Sequence, residues 1–526
     1  MHSELAPLAL NLLPVGVGGS LAFCGWIVLR VVRGSWPRWS VMLLLDIAVP
    51  FMCFVMIAAA TSSPIFAGAM TFSLAVAYSY CNEAKLRVLA EPVVFTDFFL
   101  AFDIFRHPRL ALPFPNKTKV LLAAIGAVCF CVLMISLEPP AWRHSPWLLV
   151  SSFSLLFLAI WEIVRRNSTH AAKYLRRLGL AGDPAHDSAM FGSLGTLLAY
   201  GLIAKGERVA RQSAASPTGG SGLFSLSPQP PAAQPIVLVQ CESFFDVRRL
   251  HAAINSDLLP NFDHCKRTCL QWGRLDVPSW GANTVRTEFA VLSGLSDDAL
   301  GFDRFDPYYR FAHAPINSLA WQLRAEGYRT ICIHPFDPTF YGRNRVMPNL
   351  GFDLFLGEEA FDGAARSNGY VSDVEVARKI ADLVKTHGPK VFVFAITMEN
   401  HGPWLGAGEL PTTNLLPEIG LPSGAKLALE RYVQSLRNAD EMLGILTATL
   451  SNEGTEGLLA FYGDHLPAFR QTFDTLGFSD LRSDYLIWSP ASASAARRDI
   501  AARELQAALL QSRFGDVRSQ RRCANG

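Results

Sequence analysis

Charged side chains are scarce in this sequence: they make up 17% of its 526 residues, whereas apolar residues make up 50%. The scarcity is concentrated in residues 1–165, and from about residue 235 onward the charge density is that of an ordinary soluble enzyme. The formal net charge is only +2, so nothing indicates a nucleic-acid partner. Such a long and uneven chain predicts a membrane-embedded domain followed by a soluble one.

The sequence also lacks the cysteine spacing of a zinc ribbon or a thioredoxin-type redox site. None of its 10 cysteines forms a CxxC pair. Cys265 and Cys269 are four positions apart, as on one face of a helix, and their ordinary interpretation is a pair of free thiols.

Long uncharged runs predict a transmembrane domain of about five helices in residues 1–165. Residues 5–29 form the first run. The second, 47–82, is long enough for two helices, and Thr61-Ser62-Ser63-Pro64 would separate them. Residues 120–137 and 145–161 supply the last two spans.

The orientation of the spans has two interpretations. Basic residues follow the first, third and fifth spans, which places those segments in the cytoplasm and, with five spans, the large domain as well. A sixth, weaker span at 188–204 would move that domain outside; alternatively this segment lies on the membrane surface. It belongs to a membrane-proximal segment and linker, 166–234, whose end is rich in Ser, Pro and Gly and predicts a flexible tether. Asp46 is either functional or close to a helix end.

Residues 235–526 predict an α/β domain with a mostly parallel sheet covered by helices on both faces. Short, continuously apolar segments alternate there with helical patterns. The predicted strands are 236–240, 330–334, 391–396, 458–462 and 485–488.

Polar side chains follow four of these strands, at the edge where an α/β sheet binds its ligands. The first strand leads to Glu242, the second ends on His334, the third leads to His401, and the fourth leads to Asp464 and His465. Glu242, Asp464 and His465 carry oxygen and nitrogen donors that could surround one divalent cation.

Thr284 is the predicted nucleophile. It follows Gly281-Ala282-Asn283 and precedes a segment with helical apolar spacing, so it falls at a helix N-terminus. The ordinary role of a threonine there is the N-cap. The two roles are compatible, because a helix start favours negative charge on an ionising hydroxyl or a bound phosphate. The hydroxyl needs a metal or a base to remove its proton.

Four motifs occur in chain order within roughly residues 235–490. They are Gln240-Cys241-Glu242-Ser243-Phe244, Thr284 with Glu288-Phe289, Asn400-His401-Gly402-Pro403, and Phe461-Tyr462-Gly463-Asp464-His465. Together they resemble the lipoteichoic acid synthase type of phosphoglycerol transferase, in the alkaline phosphatase and sulfatase superfamily. Five N-terminal spans are also similar to the layout of that family.

The resemblance implies a single metal ion held by Glu242, Thr284, Asp464 and His465. The ion would be manganese or magnesium, with zinc as a further candidate.

The resemblance also implies substrate contacts from His334, Arg343 and His401, with His401 as the acid or base at the leaving or entering oxygen. Tyr341 stands where the family often has tryptophan.

The implied reaction moves phosphoglycerol from phosphatidylglycerol, through a covalent adduct on Thr284, to a glycan or a growing glycerol-phosphate chain. The implied location is the inner (cytoplasmic) membrane, with a multi-pass anchor and the catalytic domain on the periplasmic side. Phosphoethanolamine transfer by the same chemistry is the nearest alternative. A sulfate-ester hydrolase would resemble a Cys-or-Ser-x-Pro-x-Arg pattern, which does not occur here. A non-catalytic membrane scaffold would have no need of the full residue set.

Overall fold

The computed structural model describes two units, Met1–Gly219 and Gly220–Gly526, and their boundary along the chain lies within the predicted linker. The described residues are 5–33, 41–99, 117–137, 146–214, 232–311, 313, 315–402, 404, 416, 418–452, 456–491 and 495–515. The domain boundaries at 165 and 234 stay predictions. Pro403 of the third motif lies outside the described residues.

The first unit is helical. Among its described residues, three helices are long and apolar enough to cross a bilayer, over Leu13–Val32, Leu43–Thr61 and Pro64–Leu89. Two further helices cover the fourth and fifth predicted spans, whose crossing of the membrane stays a prediction. In order, the five are α1 (Leu5–Arg33), α2 (Val41–Thr61), α3 (Pro64–Leu89), α4 (Lys117–Leu137) and α5 (Pro146–Arg177).

The break predicted between the second and third spans is confirmed. Helix α2 ends at Thr61, Ser62 adopts a φ of 53°, and Pro64 begins α3. Proline suits this position because the first turn of a helix has no use for its missing N–H.

The predicted sixth span is not one continuous helix. Residues 188–204 fall across α6 (Pro184–Phe191) and α7 (Ser193–Ala214). Gly192, between them, has a φ of 97°, and a Cβ there would lie 2.3 Å from Asp46 Oδ1. Only glycine permits this turn and this approach. Whether the segment crosses the membrane stays a prediction.

Asp46 is the sixth residue of α2. It is buried and pairs with Arg30 at 2.6 Å, and it accepts hydrogen bonds from Trp26 Nε1 at 2.6 Å and from the backbone N–H of Gly195 at 2.8 Å. The carboxylate therefore links α1, α2 and α7, because every one of these contacts joins two of the helices.

The described strands of the second unit are β1 (Ile236–Cys241), β2 (Gln271–Asp276), β3 (Arg329–Ile333), β4 (Leu354–Leu356), β5 (Arg366–Ser367), β6 (Tyr370–Val371), β7 (Val391–Ile396), β8 (Leu458–Gly463), β9 (Ser483–Trp488), β10 (Ala496–Arg497) and β11 (Ile500–Ala501). Nine of them form one sheet, with the order β10-β2-β9-β8-β1-β7-β3-β4 and β11 beside β2, and β5 and β6 form a separate pair. Strands β8, β1, β7, β3 and β4 are parallel, and β9 is antiparallel to both of its neighbours. The fold-class prediction is confirmed.

The helices of this unit cover both faces of the sheet. Alternate residues of β1 point to opposite sides: Val237 and Val239 belong to one apolar core, Ile236 and Leu238 to the other. The helices are α8 (Pro260–Thr268), α9 (Thr284–Ser293), α10 (Asp297–Leu300), α11 (Pro307–Phe311), α12 (Leu319–Ala325), α13 (Arg343–Asn349), α14 (Asp373–His387), α15 (Ser423–Ser451), α16 (Arg470–Leu476) and α17 (Ala502–Phe514). The first core includes residues of α8, α14 and α15, and the second includes residues of α9, α12 and α17.

Candidate active site

Glu242, Asp464 and His465 form a buried cluster at one edge of the sheet. Strands β1 and β8 are neighbours in parallel register, with Cys241 beside Gly463, so the residues that follow the two strands lie side by side. One donor atom from each of the three side chains lies within 4.8 Å of the others. His465 Nε2 is 3.6 Å from Glu242 Oε1 and 3.4 Å from Asp464 Oδ2.

The electrostatics of this cluster fit a divalent cation. Asp464 Oδ2 is buried and has no hydrogen-bond partner among the described residues, whereas Oδ1 accepts from the backbone N–H groups of Ser243 and His465. Burial, with the nearby charge of Glu242, raises the pKa of Asp464 to about 7. Burial opposes ionisation of His465, but the charges of Asp464 and Glu242 raise the pKa of the imidazole. A divalent cation would neutralise the neighbouring carboxylates of Glu242 and Asp464 and would bind Asp464 Oδ2.

Ser243 holds the cluster together, a role that the sequence did not reveal. Its Oγ donates to Glu242 Oε1 at 2.8 Å and lies 3.4 Å from His465 Nδ1. Its φ is 52°, and its backbone N–H binds Asp464 at 2.8 Å. The only signal was its place directly after Glu242, where serine is commonplace.

Thr284 is the first residue of α9, and Asn283, with a φ of 65°, occupies the N-cap position. No side-chain cap hydrogen bond forms there. Thr284 Oγ1 instead lies 3.5 Å from His465 Nε2. The structure thus places Thr284 at the predicted helix start, but its hydroxyl faces the Glu242–Asp464–His465 cluster and does not cap the helix.

His334 and Arg343 contact each other in the interior. His334 Nδ1 lies 3.2 Å from the carbonyl of Ile396, and Nε2 accepts from Arg343 Nη1 at 3.1 Å. Burial, followed by the charge of Arg343, holds the pKa of His334 well below its usual range, so the ring is neutral. Arg343 also forms a buried ion pair with Glu288 at 2.8 Å. Glu288 belongs to the second motif, but no sequence pattern assigned it a role.

The guanidinium of Arg343 lies over the ring of Tyr341, with its Cζ 5.3 Å from the ring centroid. Burial is the main cause of the raised pKa of Tyr341, and the charges of Asp306 and Glu242 also contribute. Its hydroxyl therefore stays protonated at neutral pH and can donate a hydrogen bond.

His401 follows β7, between the strands that carry Glu242 and His334. Its Nδ1 lies 2.7 Å from the carbonyl of Gly402 and 3.4 Å from the hydroxyl of Tyr370. Because a carbonyl can only accept, Nδ1 carries the proton in the neutral ring, and Nε2 is the nitrogen that can exchange a proton with a ligand.

Comparison with known proteins agrees with this architecture. The Sulfatase family model matches residues 234–510. The capsular polysaccharide biosynthesis protein RkpI of Rhizobium meliloti is 31% identical over 452 residues, which cover 82% of this chain and 79% of the relative. A second Rhizobium meliloti protein, named for cyclic beta-1,2-glucan modification, is 26% identical over 476 residues, which cover 85% of this chain and 72% of the relative.

Among solved structures, the lipooligosaccharide phosphoethanolamine transferase A of Neisseria meningitidis, an integral membrane protein, has a similar fold. Its TM-score is 0.50 at 12% identity, and the match covers 95% of this chain and 94% of that protein. The family model matches more than half of the chain, and the motifs had predicted the same superfamily. The chain belongs to the sulfatase family of enzymes, and its sulfatase-like domain follows helices that make it a membrane protein.

Proposed function

We propose that this protein is a membrane-bound phosphotransferase that moves phosphoglycerol from phosphatidylglycerol to a glycan or polyglycerol-phosphate acceptor. The observation that carries the proposal is the hydroxyl of Thr284, at a helix N-terminus and 3.5 Å from His465 in the buried cluster. The four motifs that resemble phosphoglycerol transferases supply the choice of headgroup. The names of the two Rhizobium meliloti relatives refer to polysaccharide biosynthesis and to glucan modification, which supports a glycan as the acceptor.

Glu242, Asp464 and His465 would hold the metal ion, with the hydroxyl of Thr284 beside them. Manganese or magnesium, or alternatively zinc, would supply positive charge that lowers the pKa of the hydroxyl and neutralises the phosphoryl oxygens. The backbone N–H groups in the first turn of α9 are oriented to stabilise the same negative charge.

The reaction has two steps. Thr284 Oγ1 enters the first step deprotonated, its proton having passed to water, and the second step regenerates it in that form. It forms a bond to the phosphorus, the bond from phosphorus to the diacylglycerol oxygen breaks, and His401 Nε2 gives that oxygen a proton. The acceptor hydroxyl then gives a proton to His401 as its oxygen attacks the same phosphorus, and the bond to Thr284 breaks. Arg343 and Tyr341 donate hydrogen bonds to the phosphate and the headgroup.

Phosphoethanolamine is a second candidate for the transferred group, and two features of the structure favour it. The charge of Arg343 is balanced by Glu288, so this arginine does not repel an ammonium group as an unpaired cation would. The rings of Phe336 and Tyr370, 6.4 Å apart, lie beside His334 and His401 and offer aromatic faces to a cation.

We place the protein in the inner membrane with its catalytic domain on the periplasmic side. Family resemblance supports this placement, because such enzymes act on lipid headgroups outside the cytoplasm. The excess of basic residues after alternate spans supports it only if the segment 188–204 crosses the membrane.

The experiment uses purified full-length protein in liposomes that contain phosphatidylglycerol or phosphatidylethanolamine, with added manganese. Diacylglycerol release is measured, and peptide mass spectrometry looks for an adduct on Thr284. Faster release from phosphatidylglycerol with a phosphoglycerol adduct supports the proposal. Faster release from phosphatidylethanolamine favours the second candidate, and neither release nor adduct with either lipid contradicts both.

A further inference from the structure

Glu288 is a buried carboxylate with four hydrogen bonds and no assigned role. It accepts from Arg343 Nε at 3.2 Å, Arg343 Nη2 at 2.8 Å and Gln240 Nε2 at 3.3 Å, and also from the hydroxyl of Tyr308. It lies four residues after Thr284 on α9, so the two side chains share one face of the helix. One rigid helix therefore carries both the nucleophile and this carboxylate.

We propose that Glu288 is a positioning residue: it holds the guanidinium of Arg343 in the one orientation that presents two N–H groups to the headgroup phosphate. This inference rests on the proposed phosphotransferase function. It does not depend on whether the headgroup carries glycerol or ethanolamine, because the phosphate is common to both.

A count of donors supports the role. A guanidinium has five N–H groups in a fixed fork. Glu288 accepts from Nε and Nη2, and His334 Nε2 accepts from Nη1. This leaves one N–H on Nη1 and one on Nη2 with no acceptor among the described residues. One N–H on each of two neighbouring nitrogens can bind two oxygens of a phosphate.

Burial makes this orientation unique. The Arg343 side chain is 2% exposed and that of Glu288 is 0% exposed, so neither can turn to solvent. His334 is held in turn by the carbonyl of Ile396 and can only accept from Arg343. Because Glu288 balances the charge, Arg343 acts on the phosphate through oriented hydrogen bonds more than through net charge.

A double-mutant cycle tests the proposal. Glu288→Gln keeps the volume and removes the charge, and Arg343→Met removes the guanidinium. If Glu288 acts through Arg343, Glu288→Gln raises KM for phosphatidylglycerol about tenfold or more. It also raises the Kd for glycerol phosphate by the same factor. In the Arg343→Met background the same change alters both quantities less than about twofold, because coupled residues are not additive.

The matched control is Asp353→Asn. Asp353 is also paired with an arginine, Arg324 at 3.2 Å, but it binds Thr330 at the opposite end of β3 from His334. Its replacement should leave KM unchanged. Metal binding and the thermal unfolding midpoint are measured for every variant. Equal losses of activity from Glu288→Gln in both backgrounds, with KM unchanged, would mean a merely structural role and overturn the inference.

If Glu288→Gln does not fold, the double variant still tests the proposal. The double variant removes both charges together and avoids a buried, unpaired ion. If it folds and keeps the wild-type KM and glycerol-phosphate affinity, the proposal is wrong. A wild-type protein that forms no adduct on Thr284 would instead refute the proposed function, whereas glycerol-phosphate binding reports on Glu288 without turnover.

Discussion

Replacing Thr284 with alanine separates catalysis from folding. The structure predicts a small structural cost, because Thr284 does not cap its helix and loses no cap hydrogen bond. The side chain is mostly buried, and losing its methyl group costs about 0.8 kcal/mol. The higher helix propensity of alanine stabilises the fold by roughly 0.5 kcal/mol and offsets part of that loss. We therefore expect the free energy of unfolding to fall by less than about 1 kcal/mol.

Turnover should respond very differently. Without Oγ1 no covalent adduct can form, and we expect diacylglycerol release to fall by at least about 1,000-fold, which is about 4 kcal/mol in the activation barrier. Thr284→Ser is the matched control, since it keeps the hydroxyl and should stay within about tenfold of the wild type. Release from phosphatidylglycerol liposomes and thermal unfolding are measured side by side. An alanine variant with turnover within tenfold of the wild type would refute the assignment of the nucleophile.

Four further predictions concern the metal, the pH dependence of stability, Arg343 and the topology. Chelation should stop turnover and manganese or magnesium restore it, with Asp464→Asn binding the ion at least about tenfold more weakly. Because the pKa values of Asp464 and His465 are raised, this pair binds extra protons in the folded, metal-free protein. The free energy of unfolding of the wild type, relative to that of Asp464→Asn, should therefore fall as pH rises from about 4 to 8, while the stabilisation by added manganese grows. A flat difference between the two proteins in calorimetry would contradict this. Arg343→Ala should slow phosphoglycerol transfer by about tenfold or more, equivalent to about 1.4 kcal/mol, and it should also destabilise the fold because Glu288 is left buried and unpaired. A C-terminal reporter that works only outside the cytoplasm should be active, and activity of a cytoplasmic reporter alone would reverse the proposed orientation.

The four strands whose ends carry Glu242, His334, His401 and Asp464 were all identifiable in the sequence. Their continuous apolar runs report burial on both faces, a property of the strand itself. Strands β2 and β4 were missed for a physical reason: Gln271–Asp276 is partly exposed and mixes polar with apolar residues, and Leu354–Leu356 has only three residues. Short or mixed segments become strands because a neighbour pairs with them, which no local pattern records.

The sequence by itself determined which residue types stand at the strand ends and at the start of α9, because chain order and apolar periodicity place them there. Only the tertiary structure decided how these side chains are used. It turned Thr284 away from the N-cap role and towards His465, and it paired Arg343 with Glu288, 55 positions away in the chain. Contacts between residues so far apart depend on the register and order of the strands, and on the packing of α9 against the sheet. Those are properties of the assembled fold and not of any segment read alone.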